Sequence, residues 1–226
     1  MRNVISNLVE KVLLSKEEDQ RLENFILDVR ANQYEEIKEH LLEENGLNML
    51  NQDFLLDLNL DEEVELDKAF VDNDNSFMDS ISSTLCLRPF QLAIVLGHEK
   101  VIEVILLHII RYNDAEGCIT LLTKHLGHQA RIIFPDPDNP YTFDKDDRSI
   151  DGMNAFHLAA KFYPDGIEII FRILNDNYAT YSEILSLLLE KDRHMQRTPL
   201  HVALRNHETR TSEAVAKYAQ YFPNTH

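Results

Sequence analysis

Late in the chain stands the block Thr198-Pro199-Leu200-His201-Val202-Ala203. A Thr at a helix entrance accepts a backbone N–H, and Pro suits the first turn because its missing N–H would have had no partner there. Ala in the middle of a short helix lets a neighbour approach closely, while the Leu positions fill the gap between neighbours. The block opens TPLHVALRNHETRTSEAVAKY. It lies over two earlier segments, RPFQLAIVLGHEKVIEVILL from Arg88 and NAFHLAAKFYPDGIEIIFRIL from Asn154. Pro89 and the aligned Ala155 are 66 residues apart, two periods of 33, and Ala155 and Pro199 are 44 apart, one period plus 11. Self-similarity at such a period is the signature of a stacked array, since one helical pair cannot bury its apolar face alone.

Outward from these copies the chain also reads as helical. Glycines and prolines number only six and seven in 226 residues, and apolar residues recur at helical spacing. Val4, Ile5, Leu8, Val9, Val12 and Leu13 form one stripe, and Ser15 with Glu18 makes a capping box that opens a second helix. That helix carries Leu22, Phe25, Ile26 and Val29 on one face. A third, from about Tyr34 to Glu44, carries Ile37, Leu41 and Leu42 and ends at Asn45-Gly46 as a C-terminal cap.

These residues resemble the ankyrin-repeat family, whose signature is a T-P-L-H-x-A block opening the first of two short antiparallel helices. The last copy matches it at every fixed position. The middle copy keeps Asp151-Gly152 in the turn and Phe156-His157-Leu158-Ala159-Ala160 in the helix, with Asn154 and Ala155 for Thr and Pro. The first keeps Pro89, Leu92, Ala93 and Gly97-His98, with Arg88 for Thr and Gln91 for His. VRANQYEEIKEHLLEENG from Val29 looks like a degenerate capping repeat, and GCITLLTKHLGHQARIIF reads either as a decayed repeat or as an added helix. The resemblance implies an all-α ankyrin-repeat solenoid of helix-turn-helix units with an N-terminal helical cap and irregular insertions. Residues 1–46 are the N-terminal helices and capping repeat, 47–83 an acidic insertion, and 84–226 diverged repeats interrupted at about 135–149 and 175–191. Within the last interruption, Ile184, Leu185, Leu188 and Leu189 predict an extra helix.

Composition narrows the function. Lys and Arg number 22 against 39 Asp and Glu, a net charge of −17, so the whole-molecule field repels nucleic acid. The longest nearly apolar run, Val101–Ile110, contains Glu103 and His108 and is too short for a membrane span. Glu10 and Lys11 break what would be the apolar stretch of a secretory signal, and the two cysteines, Cys86 and Cys118, make neither a disulfide framework nor a metal site. A reducing cytosol is the expected setting. Residues 53–79 hold ten acids against Lys68 alone, interleaved with apolar residues, which reads as a solvated acidic loop or as an element that docks on a basic partner. Asp72-Asn73-Asp74-Asn75-Ser76 begins like an EF-hand loop, but Phe77 and Ser83 stand where Gly and Glu belong, so calcium is rejected. No cofactor or metal is expected.

The remaining candidates are histidines and surface residues. His157 and His201 hold fixed places in the repeat and read as ties to the adjacent turn. Cys118 and His125 are seven residues apart, on one helix face, which admits a thiol-dependent enzyme; the competing reading is a small buried thiol and a surface imidazole. Ankyrin-like arrays bind proteins with turn tips and the exposed side of the first helices. By alignment this gives Ile150, Asp151, Met153, Lys161 and Phe162 in the middle copy, and His194, Met195, Arg197, Arg205 and Asn206 in the last. The first copy supplies Thr84, Leu85, Leu87, Val95 and Leu96, apolar enough to lie under the acidic insertion. The expectation is a monomeric, non-enzymatic adaptor or inhibitor that binds another protein. Decayed repeats, acidic balance and composition also look like the ankyrin-repeat effectors that intracellular bacteria such as Legionella deliver into host cells. That resemblance implies a host protein with a basic surface as partner and non-classical secretion. The chain reads alternatively as a subdomain of a larger protein.

Overall fold

A computed structural model describes residues 19–43, 46–57, 84–111, 115–133, 152–177, 184, 186–193, 195–205 and 213. The expected stripe over Val4–Leu13, the Ser15–Glu18 capping box, the aborted EF-hand and the insertion at 135–149 lie outside them. Helix α1 spans residues 19–30, followed by α2 (Tyr34–Leu42), α3 (Gly46–Leu50), β1 (Phe54–Asp57), β2 (Thr84–Leu87), α4 (Pro89–Val95) and α5 (Glu99–Arg111). Then come α6 (Ala115–Leu126), β3 (Arg131–Ile133), α7 (Ala155–Phe162), α8 (Gly166–Asn177) and α9 (Pro199–Arg205). The three copies of the motif therefore open helices at Pro89, Ala155 and Pro199, the positions the alignment equates.

The described chain is mostly helical, and its hairpins lie side by side. Among the first helices, α7 packs on both α4 and α9; among the second helices, α5 packs on both α2 and α8. Leu92, Ala93, Leu158, Ala159, Val202 and Ala203, the Leu/Val-Ala pairs of the three copies, are all buried between these rows. Phe156 stacks on Phe171 at 5.5 Å within the third hairpin. Arg172 on α8 reaches Glu99 and Glu103 on α5, at 3.3 and 2.6 Å, so the outer row is also tied by charge. Turns close by a positive-φ glycine: α4 ends with Gly97 N–H on the Ile94 carbonyl and His98 N–H on the Ala93 carbonyl. His98 Nδ1–H in turn donates to the Val29 carbonyl at 2.8 Å, joining the second hairpin to the first.

Several expectations are corrected. An all-α chain is expected, but β1, β2 and β3 form a three-stranded antiparallel sheet, with Phe54 opposite Leu87 and Cys86 opposite Arg131. The expected acidic insertion thus opens inside helix α3, and its residues 54–57 are a strand paired to the segment that leads into α4. Arg88, before Pro89, is held extended, which ends the strand and starts the helix in one residue. Gly46 does not cap α2. It opens α3 against the His40 and Leu41 carbonyls, where a Cβ would overlap them. Leu42 is exposed rather than buried with Ile37 and Leu41. The segment after Asn113 contributes an added helix, α6, on α5 and α7. Of the extra helix expected near residue 184, Ile184 and Leu188 are buried and Leu189 is exposed.

Candidate protein-binding surface

The residue at the third position of each first helix builds the scaffold of the surface. Gln91 Oε1 accepts the Arg88 N–H at 3.0 Å, while its Nε2 donates to the His128 carbonyl at 2.8 Å. His157 does the same with an imidazole: Nδ1 accepts the Asn154 N–H at 3.4 Å, and Nε2–H donates to the Arg197 carbonyl at 2.8 Å. The carbonyl acceptor fixes the tautomer. Burial pushes His157 down to about 4, partly offset by its bond to Arg197 and by Asp192, so the ring is neutral near pH 7. The tie to the backbone beside the ring is present at the Asn154 N–H, and a second bond, which the sequence does not announce, reaches the turn of the next hairpin. Gln91, a departure from the motif by letter, keeps both bonds.

The turns themselves are built for close stacking. Asp192, buried, accepts Met195 N–H at 2.7 Å and Arg197 Nε–H at 2.9 Å, and its own N–H donates to the Arg197 carbonyl. Asn154 Oδ1 caps α7 through Phe156 and His157 N–H, and its Nδ2 donates to the Leu187 carbonyl at 3.0 Å. Gly152, at φ +81, lies directly on Arg193, so consecutive turn tips touch.

The alignment-derived contact residues divide on this frame. Met195 is 40 % exposed and Arg205 is exposed; Lys161 and Phe162 are half-buried, with the Lys161 ammonium 5.4 Å from the Phe162 ring centre. Met153 is corrected: it is fully buried in the core and offers no surface. The Arg197 side chain is engaged by Asp192 and holds the turn. Ile150, Asp151, His194 and Asn206 lie outside the described residues. In the first copy Leu87 and Val95 are buried.

Two clusters complete the picture. Asp53, just before β1, faces Arg131 at 2.7 Å, His128 at 3.1 Å and Arg88 at 3.4 Å. The His128 contact is close enough for charge attraction but misaligned for a hydrogen bond. Burial and the Arg88 guanidinium lower the His128 pKa, against the pull of Asp53. This hub pins the sheet to the start of α4. Sequence reading missed it, because the partners are 35, 75 and 78 residues away and no local pattern marks them. Cys118 and His125 are both buried on α6, so the expected surface imidazole is corrected to a core one. Cys86 is also buried, and burial and Asp53 raise its pKa, away from a reactive thiolate.

Among the described residues no group of His, Cys, Asp or Glu is arranged to hold a metal ion, and no helix is long and apolar enough to cross a membrane. Set against protein families, curated proteins and solved structures, the chain finds no match.

Proposed function

We propose that this protein is a non-enzymatic protein-binding module of the ankyrin-repeat kind, an adaptor or inhibitor that meets its partner with turn tips and the exposed side of its first helices. The observation that carries this reading is the row α4, α7, α9, in which the same side-chain tie links one hairpin to the turn of the next. A row of that kind presents equivalent positions at a regular interval. Lys161, Phe162, Met195 and Arg205 sit at such positions, and Met, Arg and aromatic side chains are the types enriched at interface centres. A partner spanning the row would bury roughly 1,200 to 2,000 Å² in total. The net charge of −17 suits a partner with a basic surface beside these anchors. The compartment in this reading is a cytosol, that of a host cell if the protein acts as a delivered effector.

The test is affinity capture from lysate with wild type and with the double variant Lys161→Glu/Arg205→Glu, followed by mass spectrometry. Loss of a defined partner in the variant is expected. Identical capture by both proteins discards the surface. The thiol-enzyme reading finds Cys118 and His125 sealed from solvent, and fast alkylation of Cys118 in the folded protein would be needed to revive it.

A further inference from the structure

The turn that leads into α9 is held in one shape from within. Asp192 N–H donates to the Arg197 carbonyl, and the buried Asp192 carboxylate accepts the Met195 N–H at 2.7 Å and Arg197 Nε–H at 2.9 Å. Gln196 takes a φ of +55, a left-handed conformation that a residue other than glycine rarely adopts. Its own Nε2 offsets that strain by donating to the Asp192 and Arg193 carbonyls, at 3.3 and 3.2 Å. His157 clamps the same turn from the preceding hairpin, through the Arg197 carbonyl. A turn fixed by so many bonds has little freedom left to lose when another molecule binds it.

Its acids and its bases are used differently. Both acids are engaged within the chain: Asp192 holds Met195 and Arg197, and Glu190 Oε2 accepts from Asn154 Nδ2 at 3.2 Å. Lys191 and Arg193, on either side of Asp192, are exposed, and among the described residues neither side chain has an ion pair or a hydrogen-bond partner. Elsewhere Arg21, Lys38, Arg88, Lys100, Arg131 and Arg172 each meet a carboxylate. That is the ordinary outcome in a chain with 39 acids to 22 bases, where a cation has many carboxylates within reach. Two neighbouring cations that stay unpaired, on a rigid turn, depart from it. The exposed side chains of Leu189 and Met195 bracket them.

We infer that this turn binds an acidic segment of the partner, one that carries a large apolar residue among its carboxylates. Lys191 and Arg193 meet the carboxylates, and Leu189 and Met195 meet the apolar side chain. The inference rests on the protein-binding reading and names what the partner brings to that surface; the alignment with the repeat motif supplies neither Lys191 nor Arg193. The net charge of −17 does not oppose it, because charges farther away than about 8 Å are largely screened at physiological ionic strength.

Selection of random peptides displayed on phage against the full chain tests it without presuming a sequence. The recovered peptides are expected to carry Asp or Glu beside a large apolar residue. A synthetic copy of the commonest, followed by fluorescence anisotropy, is expected to bind more weakly as salt rises. Lys191→Glu/Arg193→Glu, with folding checked by circular dichroism, is expected to weaken that peptide by at least about tenfold. The same peptide with its acids changed to lysine is expected to prefer the double variant. Lys191→Gln/Arg193→Gln takes its place, with a smaller loss of binding, if the charge reversal prevents folding. Recovered peptides without acids, binding that the charge variants leave unchanged, or a reversed peptide that prefers wild type overturn the inference. If such peptides are still lost with Lys161→Glu/Arg205→Glu, the protein-binding surface stands and only its preference for acids falls. An empty selection overturns the inference too, while the lysate capture above decides separately whether the surface binds proteins.

Discussion

At the scale of single residues, His125 and His157 make opposite use of a buried imidazole. His157 is bonded at both nitrogens, once within its turn and once to the next. His125, equally buried on α6, has no hydrogen-bond partner at either nitrogen among the described residues. Burial, with the Arg88 and Lys124 charges nearby, pushes it down to about 4. A buried polar group without a partner forfeits its hydration for nothing in return, a penalty of about 1–3 kcal/mol. An apolar side chain of similar volume avoids that penalty at little packing cost. His125→Leu is therefore expected to raise stability by about 1–2 kcal/mol, read as a higher urea midpoint at unchanged slope. A lower midpoint would show that the imidazole is held by an interaction the apolar side chain cannot replace.

At the scale of the element, the turns decide how closely hairpins stack. Gly152 combines a φ of +81, which an L side chain rarely adopts, with contact to Arg193 of the next turn. A methyl group there meets the Arg193 Cβ and backbone nitrogen, neither of which can yield without moving the Asp192 turn. Gly152→Ala is expected to destabilise by about 2 kcal/mol or more, seen as a lower melting temperature, and a melt like that of wild type would refute this account of the stacking. The first helices were legible in the sequence because everything that opens them is local: Pro or a polar cap, then Leu and Ala at helical spacing. The sheet was not. Strands of three and four residues such as Arg131–Ile133 and Thr84–Leu87 carry no usable alternation, and their pairing spans about 45 residues. Leu42 and Gly46 were misread for a related reason: the helix period says which residues share a face, not where a following element cuts the helix short. Within the candidate surface, alignment offered Lys161, Phe162, Met195 and Arg205, which are exposed or half-buried. It also admitted Met153, because the motif does not reveal which turn residues point inward.

At the scale of the whole molecule, two electrostatic effects of opposite sign compete as the pH falls. The net charge of −17 strains the compact state, and protonating carboxylates relieves that repulsion. Against it stand His125 and His157, both lowered from 6.5 to about 4 in the folded protein, chiefly by burial. For such a base the unfolded chain takes the proton first. Its contribution to stability is intact above pH 6.5, is lost progressively between 6.5 and 4, and changes no further below that. A shift of this size corresponds to roughly 3 kcal/mol for each ring, so the pair approaches the 5–15 kcal/mol that holds a typical domain together. Repulsion among surface carboxylates is screened over about 8 Å at physiological ionic strength, and the two imidazoles, shielded from the salt, prevail. The urea midpoint in physiological salt is therefore expected to fall steadily as the pH drops from 6.5 towards 4. Replacing His157 by Gln, which can make both bonds as Gln91 does, and His125 by Leu should each remove a large part of that slope, with His108 and His128, also lowered by burial, holding a share of what remains. A midpoint that stays level or rises on acidification would mean that charge repulsion, rather than the buried rings, governs the acid limit of the fold.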